Sequence, residues 1–179
     1  MTIEPDTKDW TWVLERPCPE CGFVSSDVEF EEIPQLIRTN AAGWLPVLER
    51  ADVAVRPDDH TWSALEYAAH VRDVFRTFTR RLDLMRRDDN PLFANWDQDA
   101  TAIAERYNEQ DPAIVSGELA AAAENAAVAF GAVPVGDRGR LGRRSDGATF
   151  TVTTLGQYFV HDPVHHLHDV AGDRASLAG

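Results

Sequence analysis

Cysteine is almost missing from this sequence. Cys18 and Cys21 are the only two, too few for a disulfide framework. Positive charge is also scarce: 17 Lys and Arg stand against 30 Asp and Glu, a net charge of -13. Such a field repels phosphate backbones and anionic lipid, so neither nucleic acid nor membrane is expected as a partner. The same field concentrates cations. No apolar run approaches the ~20 residues that span a bilayer. The opening MTIEPDTKDW lacks the basic and apolar blocks of a secretory signal, so a cytoplasmic location is expected. Internal repeats and low-complexity tracts are missing too. What remains, 179 residues with 44% hydrophobic and 26% charged, is the balance of one ordinary globular domain.

Glycine and proline are absent from TWSALEYAAHVRDVFRTFTRRLDLMRR, residues 61–87. Trp62, Leu65, Ala69, Val71, Phe75, Phe78, Leu82 and Met85 supply apolar positions at helical spacing there. Thr61 or Asp59 is the expected cap, and the arginines at the far end suit the negative end of the dipole. An earlier helix is predicted from Ile33 or Pro34, on Leu36, Ile37, Ala41, Trp44, Leu45 and Leu48, with a kink at Pro46. A third covers Asp111 to Phe130 and is rich in alanine. The fourth is TTLGQYFVHDPVHHLHDVAG, capped by Thr153 or Thr154 and stopped by Gly172. Phe93, Trp96 and Asp97 lie in the expected loop after the second helix. GDRGRLGRRSDG reads as a basic loop, and TFTVT as a short extended piece. Four helices with polar connections imply a bundle over residues 33–179. Residues 1–32 form an irregular N-terminal extension, with Trp10, Trp12, Val13 and Leu14 as an apolar strap.

Four of the six histidines crowd into HDPVHHLH, positions 161–168. His161 and His165 are four apart, which on a helix puts both rings on one face within reach of one ion. Pro163 between them should bend the helix. His70 sits among Ala68, Ala69 and Val71, facing inward by pattern, where an unpartnered imidazole is costly. It is the natural third ligand from another helix. Three neutral histidines with open positions suit a catalytic site rather than a closed structural one. The plainer reading is a hydrogen-bonded core histidine. His166 and His168 flank the pair and are surface or supporting residues on this reading.

Cys18-Pro-Glu-Cys21 is a C-x-x-C knuckle. A second zinc there needs two more ligands, for which His60, His166 and His168 are available; otherwise these are two reduced cysteines in a packed turn. Asp97 and Trp96 suit either the mouth of the metal pocket or a cap and a core plug. The arginines of the basic loop suit either an anionic substrate group or local carboxylates.

WSALEYAAHVRDV and YFVHDPVHHLHDV together resemble the DinB-like superfamily, which includes mycothiol-dependent maleylpyruvate isomerases and bacillithiol transferase-like proteins. The resemblance covers about residues 33–171. The opening WTWVLERPCPECGF is similar to an extension of some actinobacterial members. The resemblance implies an all-α, up-down-down-up four-helix bundle with a divalent metal, zinc or nickel first, on His70, His161 and His165. It implies a small-molecule substrate and mycothiol as co-substrate: a metal-bound thiol loses its proton and attacks an electrophilic carbon, as in an S-transferase or isomerase. Two other expectations stand beside it. One is a metal-dependent hydrolase that activates water, with Asp162 and Asp169 as proton shuttle or as orienters of the ligands. The other is a non-enzymatic metal-binding stress-response module. That module is expected to associate through its first helix, as a homodimer with Trp10, Trp12 and Trp44 in the contact.

Overall fold

The computed structural model describes Ile3 and residues 9–171. The stop expected at Gly172 lies outside them. Four long helices form the body: α1 (Ile33–Leu48), α2 (Ala64–Arg87), α4 (Pro112–Gly131) and α5 (Val152–Ala171). A short α3 (Gln98–Ala104) lies between α2 and α4. The segment before α1 makes three single turns of 3-10 helix, at Trp10–Leu14, Ser25–Asp27 and Phe30–Glu32.

The first two helices are neighbours in sequence but not in the bundle. Both α1 and α2 pack mainly along α4 and α5, and they face one another across the core. α4 fits between its neighbours because its inner face is small: Ala122, Ala123, Ala126 and Ala127 are buried beside Val115, Leu119 and Phe130. This helix is long and apolar enough, by length and composition alone, to cross a membrane. Here it is packed against α1 and α2, with Glu118 and Glu124 on its outer side bonded to arginines of those helices. α1 and α5 approach closely at Gly43, where a Cβ would come 2.6 Å from Leu167 Cδ2.

The core runs the length of the bundle through Trp44, Phe75, Phe130, Phe159, Leu65 and Leu82, all essentially without solvent contact. Burial of each contributes about 1.5–3 kcal/mol against exposure. Trp44 is therefore a core residue, its indole N–H donating to Asn40 Oδ1 at 3.2 Å, and it offers nothing to a dimer contact. The N-terminal extension belongs to the same core, through Val28, Phe30 and Phe23.

Several sequence expectations are corrected. The N-cap of α2 is Ser63, not Thr61 or Asp59. Ser63 Oγ accepts from the Glu66 N–H at 3.3 Å, and Glu66 returns its carboxylate to the Ser63 N–H at 2.8 Å. Arg56 closes the box by pairing with Glu66. α5 starts at Val152; Thr151 Oγ1 accepts from the Thr154 N–H at 3.0 Å, so the capping oxygen belongs to Thr151. Pro46 and Pro163 lie inside α1 and α5, as expected from their places in the sequence.

The glycine-rich basic segment is not a loop. β2 (Leu141–Arg144) and β3 (Thr149–Thr151) form an antiparallel hairpin, and β1 (Leu92–Phe93) joins β2 in parallel. Three of its arginines serve the fold. Arg140 donates to the carbonyls of Met85 and Asp88 at the end of α2, Arg138 pairs with Glu31, and Arg144 with Asp146.

Replacing Ser63 by Ala leaves the Glu66 N–H unpaired inside the protein. The expected cost is about 1 kcal/mol, seen as a drop of about 2–4 °C in Tm by circular dichroism.

Candidate metal centre

α5 carries its chemistry in two adjacent stripes. Successive helical residues are turned by ~100°, and residues four apart align. Positions 161 and 165 therefore form one stripe, and 162 and 166 the next. Each stripe meets a different part of the chain.

The 162/166 stripe faces α2. Asp162 Oδ1 lies 3.2 Å from His70 Nε2 and 3.8 Å from His166 Nε2. One donor atom from each of His70, Asp162 and His166 lies within 4.8 Å of the other two. His70 is wholly buried and its Nδ1 has no partner. Trp96 stacks on its ring, 5.3 Å between centroids and 4° between planes, and Trp62 packs beside it at 5.5 Å. The ring therefore has little freedom to turn. His166 Nδ1 is 3.1 Å from Asp169 Oδ2. An N–H donated to that carboxylate leaves Nε2 as the atom with a lone pair, facing Asp162. Burial raises the Asp162 carboxyl, but His70 and His166 outweigh it, so the group is held below the usual carboxylate range. Asp169 shows the same contest: burial raises it, and the bond to His166 wins.

The 161/165 stripe faces the N-terminal extension. Cys21 Sγ is 3.8 Å from His161 Nε2, and Cys18 Sγ is 3.7 Å from His165 Nδ1. The four donor atoms all lie within 4.8 Å of one another. Burial depresses His161 to about 4, with the neighbouring His165 adding to the effect. It is a neutral imidazole at ordinary pH, the form that binds metals. Burial also pushes the Cys21 thiol up to about 12.

The residues expected to form one triad thus fall in two places. His161 and His165 meet Cys18 and Cys21, whereas His70 meets Asp162 and His166. Neither group includes His60 or His168. Asp97 caps α3, accepting from the Ala100 N–H at 2.8 Å; its neighbour Trp96 is the residue that reaches His70. Both stripes border one cavity of about 80 Å³, lined also by Trp10, Gln98 and Tyr158. Burial raises the Tyr158 hydroxyl above its ordinary value, against the opposing pull of Arg144. Arg144 donates to the Tyr158 oxygen at 3.1 Å, which leaves the phenolic proton free to bond elsewhere.

The rotation of α5 that presents these stripes is fixed from α1. Asn40 Nδ2 donates to the Pro163 carbonyl at 2.7 Å, deep in the bundle. A carbonyl oxygen has two lone pairs, so this bond ties α1 to α5 without taking the Pro163 carbonyl from the helix ladder.

A similar architecture occurs in YfiT from Bacillus subtilis, described as a probable metal-dependent hydrolase with an unusual four-helix bundle topology. The match covers 95% of this chain and 90% of that one, with a TM-score of 0.64 and 16% identity. No family model matches the sequence, and no curated protein does. The likeness shows the fold, a four-helix bundle, in agreement with what the DinB-like resemblance implies.

Asn40→Ala removes the donor to Pro163 and the acceptor for Trp44. The expected loss is about 1–3 kcal/mol, measured by urea denaturation at an unchanged m-value.

Proposed function

We propose that the protein is a metal-dependent hydrolase of small substrates, with a divalent cation held by His70, Asp162 and His166. The observation that carries this reading is the convergence of two imidazole nitrogens and one carboxylate oxygen, from facing helices, beside a cavity. The donor set fits an ion. The 3.2 Å between His70 Nε2 and Asp162 Oδ1 suits two atoms that each bind one cation at about 2.0–2.2 Å. Three protein ligands with room for a fourth is the pattern of catalytic sites, while structural sites are closed by four. The description of YfiT as a probable metal-dependent hydrolase points the same way.

A cation bound there supplies Lewis acidity to water or to a substrate carbonyl. The remaining work falls to the chain. Asp169 fixes the tautomer and angle of His166. Trp96 and Trp62 hold the His70 ring and keep water from it. Tyr158, protonated and already accepting from Arg144, presents an O–H to the cavity, where it can donate to a developing oxyanion. Gln98 adds an amide for orientation. Asp162 and Asp169, expected from the sequence as proton shuttle or as orienters of the ligands, both lie in the histidine cluster.

Carboxylate in the donor set favours zinc, nickel or a harder ion over a centre built for soft ligands. The same site in a thiol-dependent transferase would need mycothiol for turnover, and the experiment separates the two. Small esters and amides are offered to the zinc-, nickel- and manganese-loaded protein, with and without mycothiol. The expected result is hydrolysis without thiol, lost in both His70→Ala and His166→Ala. Turnover that requires the thiol overturns the hydrolase reading, as does stoichiometric metal with no turnover on either set. Asp169→Asn should keep the fold and weaken metal binding about 10- to 100-fold, read by competition with a chelator.

A further inference from the structure

The knuckle before the bundle meets the other stripe of α5 in a form that the hydrolase reading does not use. Two thiols and two imidazoles, Cys18, Cys21, His161 and His165, surround one point, with all four donor atoms mutually within 4.8 Å. A tetrahedral zinc with Zn–S near 2.3 Å and Zn–N near 2.0–2.1 Å separates sulfur from nitrogen by about 3.6 Å. The two closest cross-pairs here stand at 3.7 and 3.8 Å. A thiol donating to imidazole accounts for either contact alone, but not for two such pairs closing on one another.

The backbone around the cysteines is already shaped for this task. The Gly22 N–H donates to the Cys18 carbonyl at 2.9 Å, and the Cys18 N–H to the Phe23 carbonyl at 2.9 Å. Gly22 has a φ of +73°, a conformation that side chains disfavour. The turn folds back so that both sulfurs point the same way. Glu20, inside the same turn, places Oε2 3.3 Å from His165 Nε2. That carboxylate accepts a hydrogen bond from Nε2–H and leaves the Nδ1 lone pair aimed at Cys18, the usual way a ligating histidine is oriented. Trp10 roofs the site, with its ring 5.7 Å from His161 and 5.3 Å from His165.

We propose that Cys18, Cys21, His161 and His165 bind a structural zinc ion that clasps the N-terminal extension to α5. Four protein ligands close the coordination sphere, so this ion has no open position for a substrate. Its two thiolates cancel its charge, and the buried imidazoles remain neutral. The ion gives the extension, whose described helical segments are only single turns, a fixed point on the helix that also carries Asp162 and His166. The proposal is independent of the hydrolase reading, because none of its ligands belongs to the His70 group.

Cobalt reports thiolate ligation directly. Protein stripped of metal and refilled with Co(II) is expected to show thiolate-to-cobalt charge-transfer absorption in the near ultraviolet, with the intensity of tetrahedral geometry in the visible. The band should persist in His166→Ala and disappear in Cys18→Ser and in Cys21→Ser. Should the serine variants fail to fold, the native protein answers alone. Titrating its thiols with an organomercurial is expected to release one zinc per chain as both cysteines react, detected by a metallochromic dye. No thiolate band in the wild type, no zinc released once both thiols are blocked, or a Cys18–Cys21 disulfide in freshly purified protein would each overturn the proposal.

Discussion

The rotation of α5 about its own axis decides which side chains meet at its polar face. Two pairs of ligand-type residues, offset by a single position, share one helix. A turn of ~100° exchanges one stripe for the other. The bond from Asn40 to the Pro163 carbonyl, the close passage of Gly43 by Leu167 and the stacked Phe159, Phe130 and Phe78 rings all hold that angle. These contacts lie on the faces of α5 turned toward the bundle. The polar stripes are left at the border where helix, extension and α2 meet.

Imidazoles placed there are expensive unless satisfied, since burial strips them of water. The structure meets that cost with carboxylates. Asp162 lies between His70 and His166, Asp169 holds His166, and Glu20 reaches His165. At His166 and His165 the acidic group, Asp169 or Glu20, faces one ring nitrogen, which sets the tautomer and so the direction of the opposite nitrogen. The acidic surplus of the whole chain is in part local, and it is spent on aiming donors. The aromatic residues complete the enclosure. Trp96 and Trp62 restrain His70, and Trp10 covers the other pair.

Much of this was legible in the sequence. The period of apolar residues placed α1, α2, α4 and α5 within a few positions, and the histidine run marked the helix that shares in both side-chain clusters. The inward pattern around His70 matches its full burial in α2, where it faces Asp162 of α5. The partnership among these residues was less accessible. HDPVHHLH contains both an H-x-x-x-H and a D-x-x-x-H pair, and spacing alone treats them alike. Choosing between them requires the rotation of α5, which is set by Asn40, Pro163 and the packing of α1. Cys18 and Cys21 raised a similar difficulty. Their knuckle was recognisable, but its partners lie about 140 residues away, and His161 and His165 were already engaged by the expected triad. The hairpin was hidden for a different reason: its arginines and glycines read as a loop, whereas the strands are held by edges of β1 and by Arg140 at the end of α2. Trp96 gave no periodic signal at all, because it acts from an irregular segment.

The diagonal placement of α1 and α2 also bears on how the chain reaches its native state. In a bundle of successive antiparallel hairpins, each helix finds its partner as soon as the next one emerges. Here α1 finds its principal neighbours in α4 and α5, which begin at Pro112 and Val152. Loop closure over such separations has to precede the contacts that reward it. The apolar face of α1 therefore finds most of its cover, during synthesis, in segments made long after it.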